Sequence, residues 1–280
     1  MSERSSRASN AARSVVALLI AAVAVSVGAC DQSRGGSGSN GRKGEPVRVA
    51  AASDLAIAFK EVGDAFEQSS GKKVEFSFGS TGLLAKQITE GAPFDVFAAA
   101  NVSYVDDVVR TSACFGDTKR LYARGHLVMW SKDKALLPAT IEDLKDPKYA
   151  KVAIANPEHA PYGLAAQQAM TKAGVWSAVQ PRTVYGENVQ QAMMYAQSGN
   201  AEVAIIGLAL ARTSGGSYVP IDEKLHAPID QAMVVCKAGS SGGKPNEARA
   251  FVDFVASEPG RAIMRKYGFL LPGEALPSPP

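Results

Sequence analysis

The sequence predicts an α/β fold of two lobes with a ligand-binding crevice between them, and three observations support this prediction. Short apolar strands alternate with amphipathic helical stretches from residue 47 onward. Several strands run directly into a turn of small or polar residues that opens a helix. These strand-to-helix junctions form two groups, separated by the segment near residues 120–130. In open α/β sheets, ligands bind in the crevice at the carboxyl ends of the strands.

The first group of junctions lies in residues 47–90. A strand over Val47–Ala51 runs into Ser53, and a strand over residues 74–78 runs into Ser80. An amphipathic helix follows each serine. A helix N-terminus offers free backbone N–H groups and the positive end of the helix dipole, so two of them side by side favour an anion. Serine is also a common helix cap, so one junction alone does not indicate a site.

The second group repeats this design further along the chain. The strand over residues 152–155 leads into the turn 156–163, and the strand over residues 183–185 leads into the turn 186–188. A helix follows each turn. Other predicted strands cover residues 94–100, 127–130, 203–208, 218–221 and 232–235, and other predicted helices cover residues 102–110, 140–143, 247–257 and 261–267.

The four junctions together predict an anion site built from neutral donors, because none of them places Lys or Arg at the turn. Such a site holds a fully ionised oxyanion through hydrogen bonds and helix dipoles. It penalises a protonated anion, whose O–H needs an acceptor. Asp54 either supplies that acceptor or stabilises the first helical turn, and the sequence leaves both roles open.

The N-terminus predicts export and lipid anchoring. Three arginines precede an apolar stretch over residues 15–27, which suits a signal peptide. The stretch ends in Val-Gly-Ala-Cys, which resembles the bacterial lipobox and predicts cleavage before a lipidated Cys30. An ordinary signal peptide with a chance cysteine is the alternative. We therefore assign residues 1–29 to the signal peptide and residues 30–46, which are rich in Gly and Ser, to the lipidated cysteine and a flexible tether.

Charge and cysteine content narrow the remaining possibilities. Removal of the signal peptide takes three Arg and one Glu from 30 basic and 27 acidic residues, which leaves a net charge of +1. Attraction of an anion must therefore be local, and no basic run suggests nucleic acid. Cys114 and Cys236 either form a disulfide, as an exported protein allows, or remain buried thiols.

An enzyme is the alternative from a different functional class. His126, His159 and His226 are the histidines of the chain, and no HExxH or GxSxG motif lies near them. Glu158 and His159 occupy a promising turn, but no nucleophile or set of metal ligands accompanies them, which favours a role in turn packing. A purely structural lipoprotein would not explain four helix N-termini directed at one crevice.

Six segments carry a resemblance to a known family: AASDL, FGSTGLLAKQI, FDVFAAA, ANPEHAPYG, GENVQQAM and KYGFLLP. They resemble the molybdate-binding subunit of bacterial molybdate ABC importers, over roughly residues 47–273. The resemblance implies a two-lobed periplasmic-binding-protein fold of type II, with a mixed sheet and flanking helices in each lobe. It also implies a monomer that binds molybdate, and often tungstate, for a permease and ATPase complex, without a cofactor or a free metal cation. A binding protein for sulfate is the nearest alternative.

The resemblance also implies ligand contacts and lobe boundaries. The contacts fall at Ser53, Ser80, Tyr162 and Val189, and possible additional contacts fall at Thr81, Gly163 and Asn188. Lobe 1 would comprise residues 47–125 and 237–273, lobe 2 residues 126–236, and a C-terminal tail residues 274–280. Many members carry a ligand-contacting tyrosine where this chain has Gly207. We expect the hydroxyl of Tyr162 to replace it.

Overall fold

The computed structural model describes residues 45–240, 245–271 and 274. The predicted signal peptide, the lipidated Cys30, most of the tether and most of the C-terminal tail lie outside the described residues. Two five-stranded sheets with flanking helices make up the described part of the chain, and both belong to one compact unit. This architecture confirms the predicted α/β class.

The strands follow the predicted positions closely. They are β1 Val47–Ala52, β2 Val74–Gly79, β3 Val96–Ala99, β4 Arg120–Gly125, β5 Leu127–Ser131, β6 Val152–Ala155, β7 Thr183–Gly186, β8 Val203–Gly207, β9 Ser217–Pro220 and β10 Ile229–Val235. Strand β4 was not predicted, because its sequence RLYARG mixes charged and apolar residues without a clean alternation.

The helices fill the connections between strands. They are α1 Ala58–Ser70, α2 Thr81–Thr89, α3 Val102–Arg110, α4 Pro161–Lys172, α5 Trp176–Val179, α6 Val189–Gln197, α7 Leu208–Thr213, α8 Lys237–Ser240, α9 Pro245–Ala256 and α10 Glu258–Lys266. Helix α1 ends at Gly71, whose φ of 69° lies in the left-handed region that glycine adopts easily. Within the described ranges, no helix is long and apolar enough to cross a membrane.

The two sheets share one plan. The first has the order β2-β1-β3-β10-β4, and the second has the order β7-β6-β8-β5-β9. In each, three neighbouring strands are parallel, and the strand in the fourth position runs antiparallel to its neighbours. The carboxyl ends of the parallel strands, from which the predicted junctions emerge, therefore meet at one edge of each sheet.

Each face of the first sheet has its own apolar packing. On one face, Phe59 packs edge-on against Phe251, and Phe76 lies 5.7 Å from Phe59 between ring centroids. On the other face, α2 and α3 cover a second apolar cluster that contains Cys114 and Cys236. These two cysteines form a disulfide that joins the segment after α3 to the end of β10. The pairing that the sequence left open is therefore present.

The chain crosses between the sheets at two points. It passes from β4 to β5 at His126, and it returns between β9 and β10. Because β10 pairs with β3 and β4 of the first sheet, residues 229–235 belong to the first lobe. The predicted end of lobe 2 at residue 236 was therefore too late. The apolar residues 232–235 predict a strand, but their sequence does not indicate which sheet that strand joins.

Candidate anion-binding site

A small cavity lies between the two lobes, at the carboxyl ends of strands from both sheets. Its volume is about 10 Å³, so it excludes a sizeable organic solute. The lining brings together residues from all four predicted junctions: Ala52, Ser53, Asp54, Gly79, Ser80, Thr81, Ala100, Ala160, Pro161, Tyr162, Asn188 and Val189.

The first lobe contributes two serines that each follow a strand of its sheet. Ser53 opens a short 3₁₀ turn, Ser53–Leu55, and α1 begins only at Ala58. Our expectation that Ser53 opens the long helix was therefore wrong. Ser80 occupies the N-cap position of α2, and Thr81 is the first residue of that helix. Both serines are 3% exposed, so an anion that reaches them loses nearly all contact with water.

The second lobe contributes two helix N-termini. Tyr162 is the second residue of α4, after Pro161, and Val189 is the first residue of α6. Backbone N–H groups in the first turn of a helix have no acceptor within that helix. Proline suits the first position because it has no N–H to leave unpaired. Tyr162 and Val189 therefore bring backbone donors and the positive ends of two helix dipoles to the cavity.

Two of the additional candidates line the cavity but use their side chains elsewhere. The Oγ1 atom of Thr81 accepts a hydrogen bond from the backbone N–H of Ala100 at 3.2 Å. The Oδ1 atom of Asn188 accepts from the N–H groups of Gln190 and Gln191, at 3.0 and 3.1 Å. Asn188 is thus the cap of α6, which leaves the N–H of Val189 as the donor of this junction.

Gly163 is not among the residues that line the cavity. A Cβ atom at this position would lie 2.1 Å from the carbonyl oxygen of Ala155. The absence of a side chain therefore lets the start of α4 approach the end of β6. Gly163 fixes the place of the helix N-terminus, and the structure gives it no side-chain role in the cavity.

Ser80 also connects the lobes. Its Oγ atom donates to the carbonyl oxygen of His159 at 2.8 Å and lies 2.7 Å from the Nδ1 atom of the same residue. The N–H of Gly82 donates to that carbonyl oxygen at 2.9 Å. The side chain of Ser80 therefore does not cap α2, contrary to our expectation. His159, which we assigned to turn packing, contacts the opposite lobe.

Four side chains form a buried polar network beside the cavity: Asp54, Tyr122, Tyr162 and Gln231. The Nε2 atom of Gln231 donates to Asp54 Oδ2 at 2.7 Å and to the hydroxyl oxygen of Tyr162 at 3.1 Å. The hydroxyl of Tyr122 donates to Gln231 Oε1 at 2.8 Å. Gln231 is fully buried, and both ends of its amide are satisfied, so the network holds the Tyr162 side chain of lobe 2 against lobe 1.

The position of the Tyr162 ring depends on two glycines. A Cβ atom at Gly207 would lie 2.9 Å from the ring, and a Cβ atom at Gly125 would lie 2.0 Å from its hydroxyl oxygen. The ring thus fills the space that a larger residue 207 would occupy. We expected the hydroxyl to face the ligand, whereas in this structure its partner is the network. The backbone N–H of Tyr162 is the group best placed for an anion.

The electrostatics of the site depend mainly on Asp54. It is the only charged side chain among the described residues that line the cavity. Burial raises the pKa of Asp54 from 3.8 to about 6, although the hydrogen bond from Gln231 opposes this shift. Burial also holds the pKa values of Tyr122 and Tyr162 well above 10. In the part of the chain that the structure describes, no group of His, Cys, Asp or Glu side chains has the arrangement of a metal site.

Few features of the sequence pointed to Gln231 or Tyr122. Gln231 follows Asp230 near the start of β10, directly before the apolar residues 232–235, and its full burial shows that such a residue needs internal partners. Its place beside that apolar run was the available signal. Tyr122 lies on β4, the strand that was not predicted. The contact of His159 with Ser80 joins residues 79 positions apart, which no spacing rule anticipates.

Comparison with known proteins defines the class to which this fold and cavity belong. Residues 47–270 match the family model of the bacterial extracellular solute-binding proteins, and the chain belongs to this family. It is 35% identical to the molybdate-binding protein ModA of Rhodobacter capsulatus over 80% of this chain and 88% of that protein. It is 32% identical to the protein of the same name from Azotobacter vinelandii, over 80% of this chain and 89% of that protein.

A solved structure supports the same assignment. The periplasmic molybdate-binding protein of Azotobacter vinelandii superimposes with a TM-score of 0.73 and 28% identity, over 81% of this chain and 99% of that chain. The particular group within the family is therefore that of the ModA-type binding subunits, as the sequence motifs indicated. Such proteins are solute-binding components of transport systems and not enzymes, and what they bind is cargo and not a cofactor.

Proposed function

We propose that this protein captures molybdate outside the cytoplasm and delivers it to an ABC importer. The observation that carries the proposal is that residues from four separate segments of the chain line one small buried cavity. These residues are Ser53, Ser80, Tyr162 and Val189. The two serines supply hydroxyl groups, and the two helix N-termini supply backbone N–H groups. These donors suit the oxygen atoms of a tetrahedral dianion. An oxyanion held in this way needs no bond from the protein to its central metal atom.

The names of the relatives support molybdate as the cargo, because the two curated proteins and the solved structure are each described as molybdate-binding. Tungstate is a tetrahedral dianion of nearly the same size, so we propose that it binds the same cavity. Sulfate has the same shape and charge but is smaller, so cavity size must discriminate against it. The partner complex is a permease with its ATPase, and the binding protein acts as a monomer.

The N-terminal sequence supports the cellular location. Signal cleavage before Cys30 would leave a lipidated cysteine followed by a tether of about fifteen residues, which spans tens of ångströms when flexible. We propose that this anchor holds the binding protein on the outer side of the cell membrane. The crevice then samples the solution near the permease.

Calorimetric titration of the purified protein with molybdate, tungstate, sulfate and phosphate tests the proposal. We expect one molybdate or tungstate ion per chain, bound more tightly than sulfate or phosphate, in the presence of a metal chelator. If sulfate bound most tightly, the nearest alternative would apply, and the protein would be a sulfate-binding protein. Absence of binding to all four anions would contradict the proposal.

A further inference from the structure

Asp54 is a carboxylate within a cavity that is otherwise lined by donors and apolar groups. It is 2% exposed, and it lies directly after Ser53. Its Oδ2 atom accepts from Gln231, whereas its Oδ1 atom is buried without a hydrogen-bond partner. Weaker contacts with the Tyr162 hydroxyl and with the N–H groups of Asp54 and Leu55 favour ionised Asp54, but they offset only part of the effect of its burial on the pKa. A buried acceptor that lacks a donor is costly, so Oδ1 requires an explanation.

Among the described residues, no cation compensates this carboxylate. The groups that face it from neighbouring elements are Tyr122 on β4, Tyr162 on α4 and Gln231 on β10, all of which are neutral at physiological pH. The 3₁₀ turn also packs against β2, α6 and α7. Their titratable side chains are Glu75 and Arg212, which are exposed, and Tyr195, which is half-buried, and none of them hydrogen-bonds to Asp54.

An anion in this cavity would therefore lie beside an uncompensated carboxylate. Two like charges in a buried site cannot both persist, and the group that can take up a proton does so. Ionised Asp54 offers only acceptors to the anion, whereas the neutral acid offers one O–H donor. The neutral acid would give Oδ1 a hydrogen bond and add a donor to the cavity.

We propose, on the basis of the proposed function, that binding of the oxyanion takes up one proton from solvent onto Oδ1 of Asp54. The resulting O–H donates to an oxygen atom of the anion, while Oδ2 continues to accept from Gln231. The anion itself remains a dianion, and no other bond forms or breaks. Asp54 thereby becomes a ligand-dependent donor, so the affinity for the dianion increases as the pH falls.

The direct test is the number of protons taken up per molybdate, obtained by titration calorimetry of the intact protein in buffers with different protonation enthalpies. Near pH 8 we expect an uptake that approaches one proton per anion, because Asp54 is ionised in the free protein. The affinity should increase roughly tenfold for each unit of pH lowered between about pH 8 and 6.5. Below about pH 6, where free Asp54 is already protonated, the uptake should fall toward zero.

Two variants assign the proton to its residue. Asp54→Asn has an amide donor in place of the acid, so molybdate binding should lose its proton uptake and its pH dependence. His159 is a second ionisable group close to the cavity, through its contact with Ser80. The comparison variant His159→Gln should keep the proton uptake per bound molybdate even where its affinity changes. Loss of uptake in His159→Gln with retention in Asp54→Asn would overturn the assignment.

Measurements on the wild-type protein alone also test the proton uptake, so the test does not depend on whether the variants fold. Binding of molybdate with no proton uptake and with constant affinity from about pH 6.5 to 8 would overturn this inference and leave the proposed function intact. Failure to bind molybdate at any pH would instead overturn the proposed function, and the inference would fall with it.

Discussion

The side-chain hydroxyl of Ser80 donates to the carbonyl oxygen of His159, with 2.8 Å between the two oxygen atoms, and this bond crosses from the first lobe to the second. A hydroxyl group has a single proton, so Ser80 cannot donate fully to this carbonyl and to an anion at the same time. The Nδ1 atom of His159, 2.7 Å from Ser80 Oγ, can hold the hydroxyl when its proton turns toward a ligand. The bond therefore ties the two lobes together beside the cavity, and an anion that accepts the Ser80 proton would compete with it.

The first prediction concerns Ser80→Ala. Loss of a hydroxyl donor to a charged group should weaken molybdate binding by roughly ten- to a hundred-fold. Calorimetry measures the affinity, and thermal unfolding measures the stability. Asn101→Ala is the matched control, because Asn101 caps α3 through its side chain and is not among the cavity-lining residues. The control should lose about 1 kcal/mol of stability and keep its affinity. If Ser80→Ala lowered the stability but kept wild-type affinity, Ser80 would have only a structural role.

The second prediction concerns Ser53. Because Ser53 follows β1 and is buried in the same cavity, Ser53→Ala should reduce affinity by a similar factor of roughly ten to a hundred. The double variant with Ser80→Ala should be close to non-binding at micromolar molybdate. The thermal shift produced by a fixed molybdate concentration should shrink in the same order. Wild-type affinity in both single variants would exclude this cavity as the binding site.

The third prediction concerns Tyr162→Phe. Removal of the hydroxyl leaves one donor of the buried Gln231 amide without an acceptor, which should cost about 1–3 kcal/mol of stability. The backbone N–H of residue 162 remains, so the affinity should fall less than in Ser80→Ala. Urea unfolding and calorimetry measure the two effects. Abolished binding with unchanged stability would show instead that the hydroxyl contacts the anion directly.

The fourth prediction concerns the pH dependence of stability in the unliganded protein. The folded-state pKa of Asp54 is raised to about 6, so the folded state binds more protons than the unfolded state between about pH 4 and 6. Asp54 therefore lowers the stability as the pH rises through this window. Asp54→Asn should be the more stable protein above pH 6, by up to about 3 kcal/mol, and should lose this advantage near pH 4.

Urea unfolding at several pH values measures this difference. Asp64→Asn removes an exposed carboxylate from the same lobe and is the matched control. An advantage of Asp54→Asn that is equally large at pH 4 and pH 7.5 would contradict the assigned direction of the pKa shift.

The fifth prediction concerns Cys30. If the lipid is attached to its sulfur, Cys30→Ala should release the protein from membranes into the soluble fraction. Fractionation of cells followed by immunodetection measures the distribution. Replacement of the nearby Ser33 by Ala serves as the control and should leave the protein with the membranes. Unchanged membrane retention of Cys30→Ala would contradict lipid anchoring.

The sequence predicted the cavity from local features, because each junction is a short run of residues with a clear physical signal. Strand β6 was predicted with its observed bounds, Val152–Ala155, since four apolar residues between polar turns have few other uses in an α/β fold. Ser80 and Val189 were placed at helix N-termini by the same reasoning. Local chemistry of this kind is visible before any tertiary structure is known.

Long-range relationships could not be predicted in this way. The sheet that β10 joins is decided by pairing with β3 and β4, more than a hundred residues earlier in the chain. Gln231 meets Asp54 across 177 positions. The role of Tyr162 also changed for this reason, because its hydroxyl partner lies on β10. Tertiary contacts, and not intrinsic preferences, determine these features.

An anomalous difference map from crystals grown with molybdate tests the central claim most directly. Data collected at the molybdenum absorption edge should show one strong peak, located in the cavity between the lobes. The surrounding oxygen atoms should lie within hydrogen-bond distance of the hydroxyl groups of Ser53 and Ser80 and of the N–H groups of Tyr162 and Val189. A peak elsewhere on the protein, or an empty cavity at saturating molybdate, would contradict the claim.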